Sequence, residues 1–157
     1  MAIPAQYQEI SVEGLPALSE RMQAEGHRFV QLLAVNTEAG IDVQYTFMKD
    51  GVLEVFTIKS VTPGIPIPSI TDRFIAAFVF ENEIHDLFGV NVRDIAIDFG
   101  GNFYVTAQPT PMTIISPAQK AAREKAKKAA AAKAAAEAEA AKKDSAEAAK
   151  KEAKENP

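Results

Sequence analysis

Ile41-Asp42-Val43-Gln44-Tyr45-Thr46-Phe47, then Lys49-Asp50-Gly51, then Val52-Leu53-Glu54-Val55-Phe56-Thr57-Ile58-Lys59 is the stretch that decides the fold class. In the first run Ile41, Val43, Tyr45 and Phe47 alternate with Asp42, Gln44 and Thr46, the period of a half-buried strand. Asp50-Gly51 is a tight-turn dipeptide, and the β pattern resumes directly after it, so the segment predicts an antiparallel hairpin. Phe29 to Val35, mostly apolar, supplies a third strand.

Working outward, Val12, Leu15, Leu18 and Met22 recur at spacings of three and four, one face of a helix. Pro16 is tolerated only in a first turn, which puts the start near Gly14 or Leu15, and Gly26 is the stop. Past the hairpin, residues 61–68 hold three prolines and a glycine, which forbids regular pairing and predicts an extended loop. A second helix is expected at about 70–88, capped by Ser69 or Thr71, with Asp72 in its first turn and Gly89 as its exit. Short strand pieces follow at Val90–Val92, Ile95–Ile97 and Phe103–Val105, with a turn at Gly100-Gly101. The order α-β-β-β-α-β predicts an α+β domain over residues 1–116, a mainly antiparallel sheet with its helices on one face.

Residues 117–157 are of another kind. Ser116-Pro117-Ala118-Gln119 combines an N-cap serine, proline at the first helical position and glutamine at the capping-box position. Alanine dominates thereafter and no larger apolar side chain follows Ile115, so a long Ala/Lys-rich helix is expected that cannot bury a core.

The formal charge of -4 conceals a division: 6 Lys/Arg against 14 Asp/Glu in residues 1–116, 11 against 7 in residues 117–157. An acidic body has no electrostatic footprint for nucleic acid. The chain has no cysteine, which excludes disulfides, thiolate nucleophiles and Cys-ligated zinc or iron–sulfur centres and fits a reducing compartment. The N-terminus lacks a basic region followed by an apolar run, so no signal peptide is expected. The longest apolar run, Phe74 to Phe80, falls far short of the roughly 18–20 residues of a membrane span.

Self-contained catalysis has little to stand on. His27 and His85 are the only neutral-pH bases, with no nucleophile elbow and no phosphate-cradling glycine loop beside them. Glu81 and His85, four apart on the second helix, share a face and would need a third ligand to hold a metal; exposed Glu/His pairs on helices are commonplace. A free-standing metal-dependent enzyme would require that pair to bind metal.

Phe78-Val79-Phe80-Glu81-Asn82-Glu83-Ile84-His85-Asp86-Leu87-Phe88-Gly89 is more informative. From Phe74 to Phe80 the helix is apolar on every side, which implies cover on more than the one side a single sheet provides. The second cover is either the chain's own loops or another protein. Glu81, Glu83 and Asp86 then place negative charge in the C-terminal half of the helix, where the macrodipole disfavours it, so donors on a partner or solvation must compensate.

Glu81-x-Glu83-x-x-Asp86-Leu87-Phe88-Gly89, preceded by Ile67-Pro68-Ser69-Ile70-Thr71, resembles the signature of the respiratory-chain complex I 30 kDa subunit family, and the strand order agrees from about Gly14 to Val105. Two departures stand out. Asn82 occupies the place of the usual arginine, and after Gly89 there is no His-Pro-Asp-Leu-Arg-Arg segment; Ile97-Asp98-Phe99-Gly100-Gly101 and Pro111-Met112 appear instead. With these the chain looks more like the corresponding small subunit of energy-converting, Ech-type [NiFe] hydrogenases.

The resemblance implies a scaffold subunit without catalytic residues, cofactor or metal of its own. It would dock on the hydrogenase large subunit, which holds the nickel–iron site, beside a small subunit carrying iron–sulfur clusters. Membrane subunits would be reached indirectly, placing the chain peripherally on the cytoplasmic side of the membrane. The assembly would pass electrons from ferredoxin to protons, forming hydrogen, and couple this to ion translocation. The alternative it implies is a 30 kDa-type subunit of a respiratory NADH/quinone oxidoreductase-like complex. In either case Pro68, Ser69, Phe78, Glu81, Glu83, Asp86, Leu87, Phe88 and Gly89 are the expected subunit interface.

Overall fold

A computed structural model of the chain describes residues 3–113; the helix expected at 117–157 lies outside the described residues. The elements are β1 (Ala5–Glu9), α1 (Leu15–Ala24), β2 (Arg28–Asn36), β3 (Ile41–Lys49), β4 (Val52–Val61), β5 (Ile67–Pro68), α2 (Ala77–Phe88), β6 (Val92–Arg93) and a 3-10 turn at Pro111–Thr113. Four strands form one sheet in the order β1-β4-β3-β2, and β5 and β6 form a separate two-stranded ladder.

The hairpin is built as the alternation predicts. β3 and β4 pair antiparallel with Tyr45 opposite Phe56 and Phe47 opposite Glu54. The turn is closed by Asp50 and Gly51, both at positive φ, the conformation whose twist suits a two-residue hairpin. β2 pairs antiparallel with β3, with a register shift between Phe29 and Gln31.

β1 was not expected. Ala5-Gln6-Tyr7-Gln8-Glu9 has no apolar alternation and is exposed throughout, so side-chain burial gives it no signature. Backbone bonding places it: β1 lies parallel to β4, with Tyr7 beside Val55. The bonds from Leu53 N–H to Pro4 O (2.9 Å) and from Ile10 N–H to Thr57 O (3.0 Å) continue the ladder past both ends of the strand. The sheet is therefore mixed, antiparallel except at this edge.

One face of the sheet carries the core. Phe47 meets Phe29, Phe56 and Phe74 with ring centroids 5.8, 6.1 and 5.2 Å apart, and Phe80 packs edge-on to Phe29 at 5.7 Å. α1 adds Leu15, Leu18 and Met22 to the same cluster, and α2 adds Ala77 and Ile84. α1 begins at Leu15 with Pro16 in its first turn and ends before Gly26 at φ 77°, as the proline and glycine positions require. Burying rings such as Phe47 and Phe56 is worth about 1.5–3 kcal/mol each.

Two expectations are corrected. α2 starts at Ala77, not near residue 70; its N-cap is Ala76, without a side-chain cap bond. Ser69 and Thr71 do not cap it because their hydroxyls are engaged elsewhere, as shown below. The strand pieces expected at Ile95–Ile97 and Phe103–Val105 are irregular loop, leaving Val92–Arg93 as the only strand after α2 among the described residues. That loop has no neighbouring strand, and side chains of α2 and of the Ser69–Thr71 segment bind its backbone.

Candidate subunit interface

The segment Pro68-Ser69-Ile70-Thr71 leads the chain off β5 and across α2. Glu81 points inward from α2 with 0% exposure. Its Oε1 accepts from the Ile70 N–H at 2.9 Å, and its Oε2 accepts from the Ser69 hydroxyl at 2.6 Å. Because the Ser69 proton goes to the carboxylate, the 2.6 Å contact between Ser69 and Thr71 hydroxyls has Thr71 as donor. Thr71 N–H also donates to Ser69 Oγ, at 3.0 Å, and Ala96 N–H donates to Thr71 Oγ1, at 2.9 Å. A directed chain of donors thus runs from the loop after β6, through Thr71 and Ser69, to the Glu81 carboxylate.

Burial pushes the Glu81 pKa above the ordinary carboxylate value of 4.5, the bonds from Ser69 and Ile70 pull it back, and Asp72 adds to the rise. Tyr45 lies fully buried near it, its phenol held well above the usual range by burial first and by the Glu81 charge second.

Asn82, also buried, follows Glu81 on α2 and reaches the loop after β6 directly. Its amide donates to Phe78 O at 2.7 Å and to Ile97 O at 2.8 Å, and its Oδ1 accepts from Phe99 N–H at 2.9 Å. Asp86 accepts from Tyr104 N–H through Oδ2 at 2.8 Å, and its Oδ1 lies 3.1 Å from His85 Nδ1. The charge that the macrodipole disfavours in this half of the helix is therefore offset by the chain's own donors at two of three positions; Glu83 stays half-exposed.

The helix exit depends on Gly89, at φ 70° and ψ 24°, whose N–H returns to His85 O. A Cβ at Gly89 would lie 2.8 Å from Thr110 Cγ2, so the position needs both the left-handed conformation and the absent side chain.

Of the nine residues expected at the interface, the structure gathers Ser69 and Glu81 into one internal clamp, sets Asp86 into a second, and makes Gly89 a helix terminator. Pro68, Phe78, Glu83, Leu87 and Phe88 are half-exposed. The apolar run from Phe74 is covered by this chain only in part: Phe74, Phe78 and Phe80 pack against the margin of the core cluster and stay partly exposed, Val79 is half-exposed, and Ile75 is open to solvent. Asn82, read in the sequence only as a departure from a motif, is a principal anchor. An Asn and an Asp four apart, on one face of a helical run, were the available signal.

The histidines have separate duties. His27 is buried with Nε2 2.9 Å from Glu54 Oε1 on β4, whereas His85 sits on α2 beside Asp86. Glu81 and His85 share a helix, yet the Glu81 carboxylate is fully engaged by Ser69 and Ile70. Among the described residues no three His, Asp or Glu side chains are gathered to hold a metal ion. No helix among them is long and apolar enough to cross a membrane.

Residues 8–96 match the profile of the family described as respiratory-chain NADH dehydrogenase, 30 Kd subunit. Among solved structures, a trypsin-resistant fragment of Nqo5 shares 17% sequence identity with a TM-score of 0.51, over 58% of this chain and 80% of that one; this likeness concerns the fold. No curated protein matches the sequence.

Proposed function

The chain belongs to the respiratory-chain NADH dehydrogenase 30 kDa subunit family, and from that premise we propose that it is the cofactor-free scaffold subunit of a membrane-bound, energy-converting [NiFe] hydrogenase. In this role it docks on the large catalytic subunit beside an iron–sulfur small subunit, on the cytoplasmic side of the membrane, and reaches the membrane only through partners. The assembly oxidises ferredoxin, forms hydrogen and translocates ions; this chain supplies shape and contacts. Pro68, Phe78, Glu83, Leu87 and Phe88 meet the large subunit directly. Ser69, Glu81, Asp86 and Gly89 hold that surface in form from beneath.

The observation that carries the hydrogenase reading is the junction of Asn82 with Ile97 and Phe99. Asn82 in place of arginine and Ile97-Asp98-Phe99 in place of the respiratory ending are the sequence's two departures from the respiratory pattern. The Asn82 amide both donates to and accepts from that replacement ending, so the two departures form one structural unit. A buried arginine carries five donors and no acceptor and cannot receive the Phe99 N–H.

The alternative is a 30 kDa-type subunit of a quinone-linked complex, favoured by the name of the matching family itself. Affinity purification of the tagged chain under mild detergent, with mass spectrometry of the copurified subunits, separates the two. A hydrogenase large subunit together with hydrogen evolution from reduced ferredoxin is the expected outcome. A quinone-site subunit with quinone reduction and no hydrogen would replace this reading with the respiratory one.

A further inference from the structure

The loop after β6 presents an apolar surface that the fold does not use. Ile97, Phe99, Tyr104 and Val105 are exposed, at 43%, 44%, 41% and 105% respectively. The rings of Phe99 and Tyr104 each stack edge-on against Phe103, with centroids 5.0 Å apart in both pairs. Large apolar side chains gathered in irregular backbone usually turn inward; patches of this kind on a surface mark interaction sites.

The backbone beneath them is fixed. Thr71 holds Ala96 N–H, Asn82 holds Ile97 O and Phe99 N–H, and Asp86 holds Tyr104 N–H. All three holding side chains are buried. Each exposed ring therefore sits on or next to a residue whose backbone is clamped to the interior. A rigid aromatic display loses little conformational entropy on binding, which is the property of an anchor site.

We propose that this loop is a preorganised docking epitope for a partner protein of the same complex, seated in an apolar pocket of that partner rimmed by lysine or arginine. The rim follows from charge: from Asp94 to Thr113 the chain carries Asp94 and Asp98 and no lysine or arginine. Asp94 and Asp98 are exposed on the loop itself, where a cationic rim complements them and a like-charged one is rejected. The inference rests on the subunit role proposed above and adds a site outside the nine residues assigned to it.

The test uses the assembled complex. Replacing Val105, and in a second preparation Leu33 on the exposed sheet face, with the photoreactive p-benzoylphenylalanine gives two reporters. The expected result is a cross-link from position 105 into another subunit, at a peptide with apolar residues flanked by Lys or Arg, and none from position 33. The double variant Phe99→Ser/Val105→Asp should keep the thermal midpoint of the isolated chain and recover at least about tenfold less partner subunit. A cross-link from 105 confined to this chain's own residues beyond 113, or full recovery of partners by the double variant, overturns the epitope while leaving the subunit role intact. If the wild-type chain copurifies with no subunit at all, both fall.

Discussion

At Glu81 a carboxylate with no solvent exposure accepts one backbone and one hydroxyl proton, and its pKa is raised chiefly by burial. The folded chain therefore keeps the Glu81 carboxyl protonated at a pH where the unfolded chain has released that proton. Its contribution favours folding at and below the ordinary value of 4.5 and is lost as pH rises from there through the raised folded value. Glu81→Gln should remove that slope, visible as the difference between wild-type and variant urea midpoints across about pH 4 to 7. An identical pH profile in both proteins would show that Glu81 is not the titrating group. Glu81→Ala is harsher: Ile70 N–H and the Ser69 hydroxyl lose their acceptor in the interior and a void opens. The expected cost is about 2–4 kcal/mol by denaturant unfolding. The first glutamate of the signature was legible in the sequence as a marked position. Its partners were not, because Ser69 and Thr71 precede a helical pattern and suit N-caps equally well; only the fold shows that the helix begins later, at Ala77.

At the scale of the element, α2 is defined by what holds its exit and what it holds in turn. Gly89→Ala combines a left-handed alanine, costing about 1–2 kcal/mol, with the approach of Cβ to Thr110 Cγ2 at 2.8 Å. Thr110 itself sits at φ 44°, so Thr110→Gly relieves its backbone and clears the space. In the Thr110→Gly background Gly89→Ala should therefore cost less than in the wild type; equal shifts in thermal midpoint in both would mean the contact is not strained. Asn82→Ala, in turn, deletes the acceptor for Phe99 N–H and the donor to Ile97 O. Hydrogen exchange at the Phe99 amide should accelerate by about tenfold or more, a loss of roughly 1.4 kcal/mol of local protection, while amides of β3 and β4 keep theirs. Acceleration spread evenly over the domain would show that Asn82 supports global stability alone. The elements that periodicity revealed, α1 and the three strands between Arg28 and Val61, are those whose inner faces meet the core. β1 was hidden because it pairs through backbone alone, and the pieces at 95–97 and 103–105 read as strands because they are apolar, although only Ile95 enters the core, Ile97, Tyr104 and Val105 are exposed, and the backbone is held by side chains.

For the whole molecule, the question is where stability resides along a chain divided into an acidic body and a basic tail. At the C-terminal end of the described residues Asn36 Nδ2 donates to Met112 O at 3.3 Å and to Thr113 O at 3.2 Å. A cut after Ser116 spares both bonds. The residues removed, 117–157, offer alanine methyls and charged side chains but no larger apolar group, so they give the body little surface to bury. Truncation there is expected to leave the unfolding free energy of the body within about 0.5 kcal/mol of the full chain. The net +4 of the removed segment predicts where an effect would appear instead: in contacts with anionic lipid or an acidic partner, worth roughly 1 kcal/mol per basic residue near a charged membrane surface and confined to about a Debye length. Turnover of the assembled complex with and without the segment, measured at low and moderate salt, separates the possibilities. A loss of turnover that fades as salt rises identifies electrostatic docking, unchanged turnover at both identifies an inert appendage, and a truncated chain that fails to fold would move the boundary of the domain beyond residue 116.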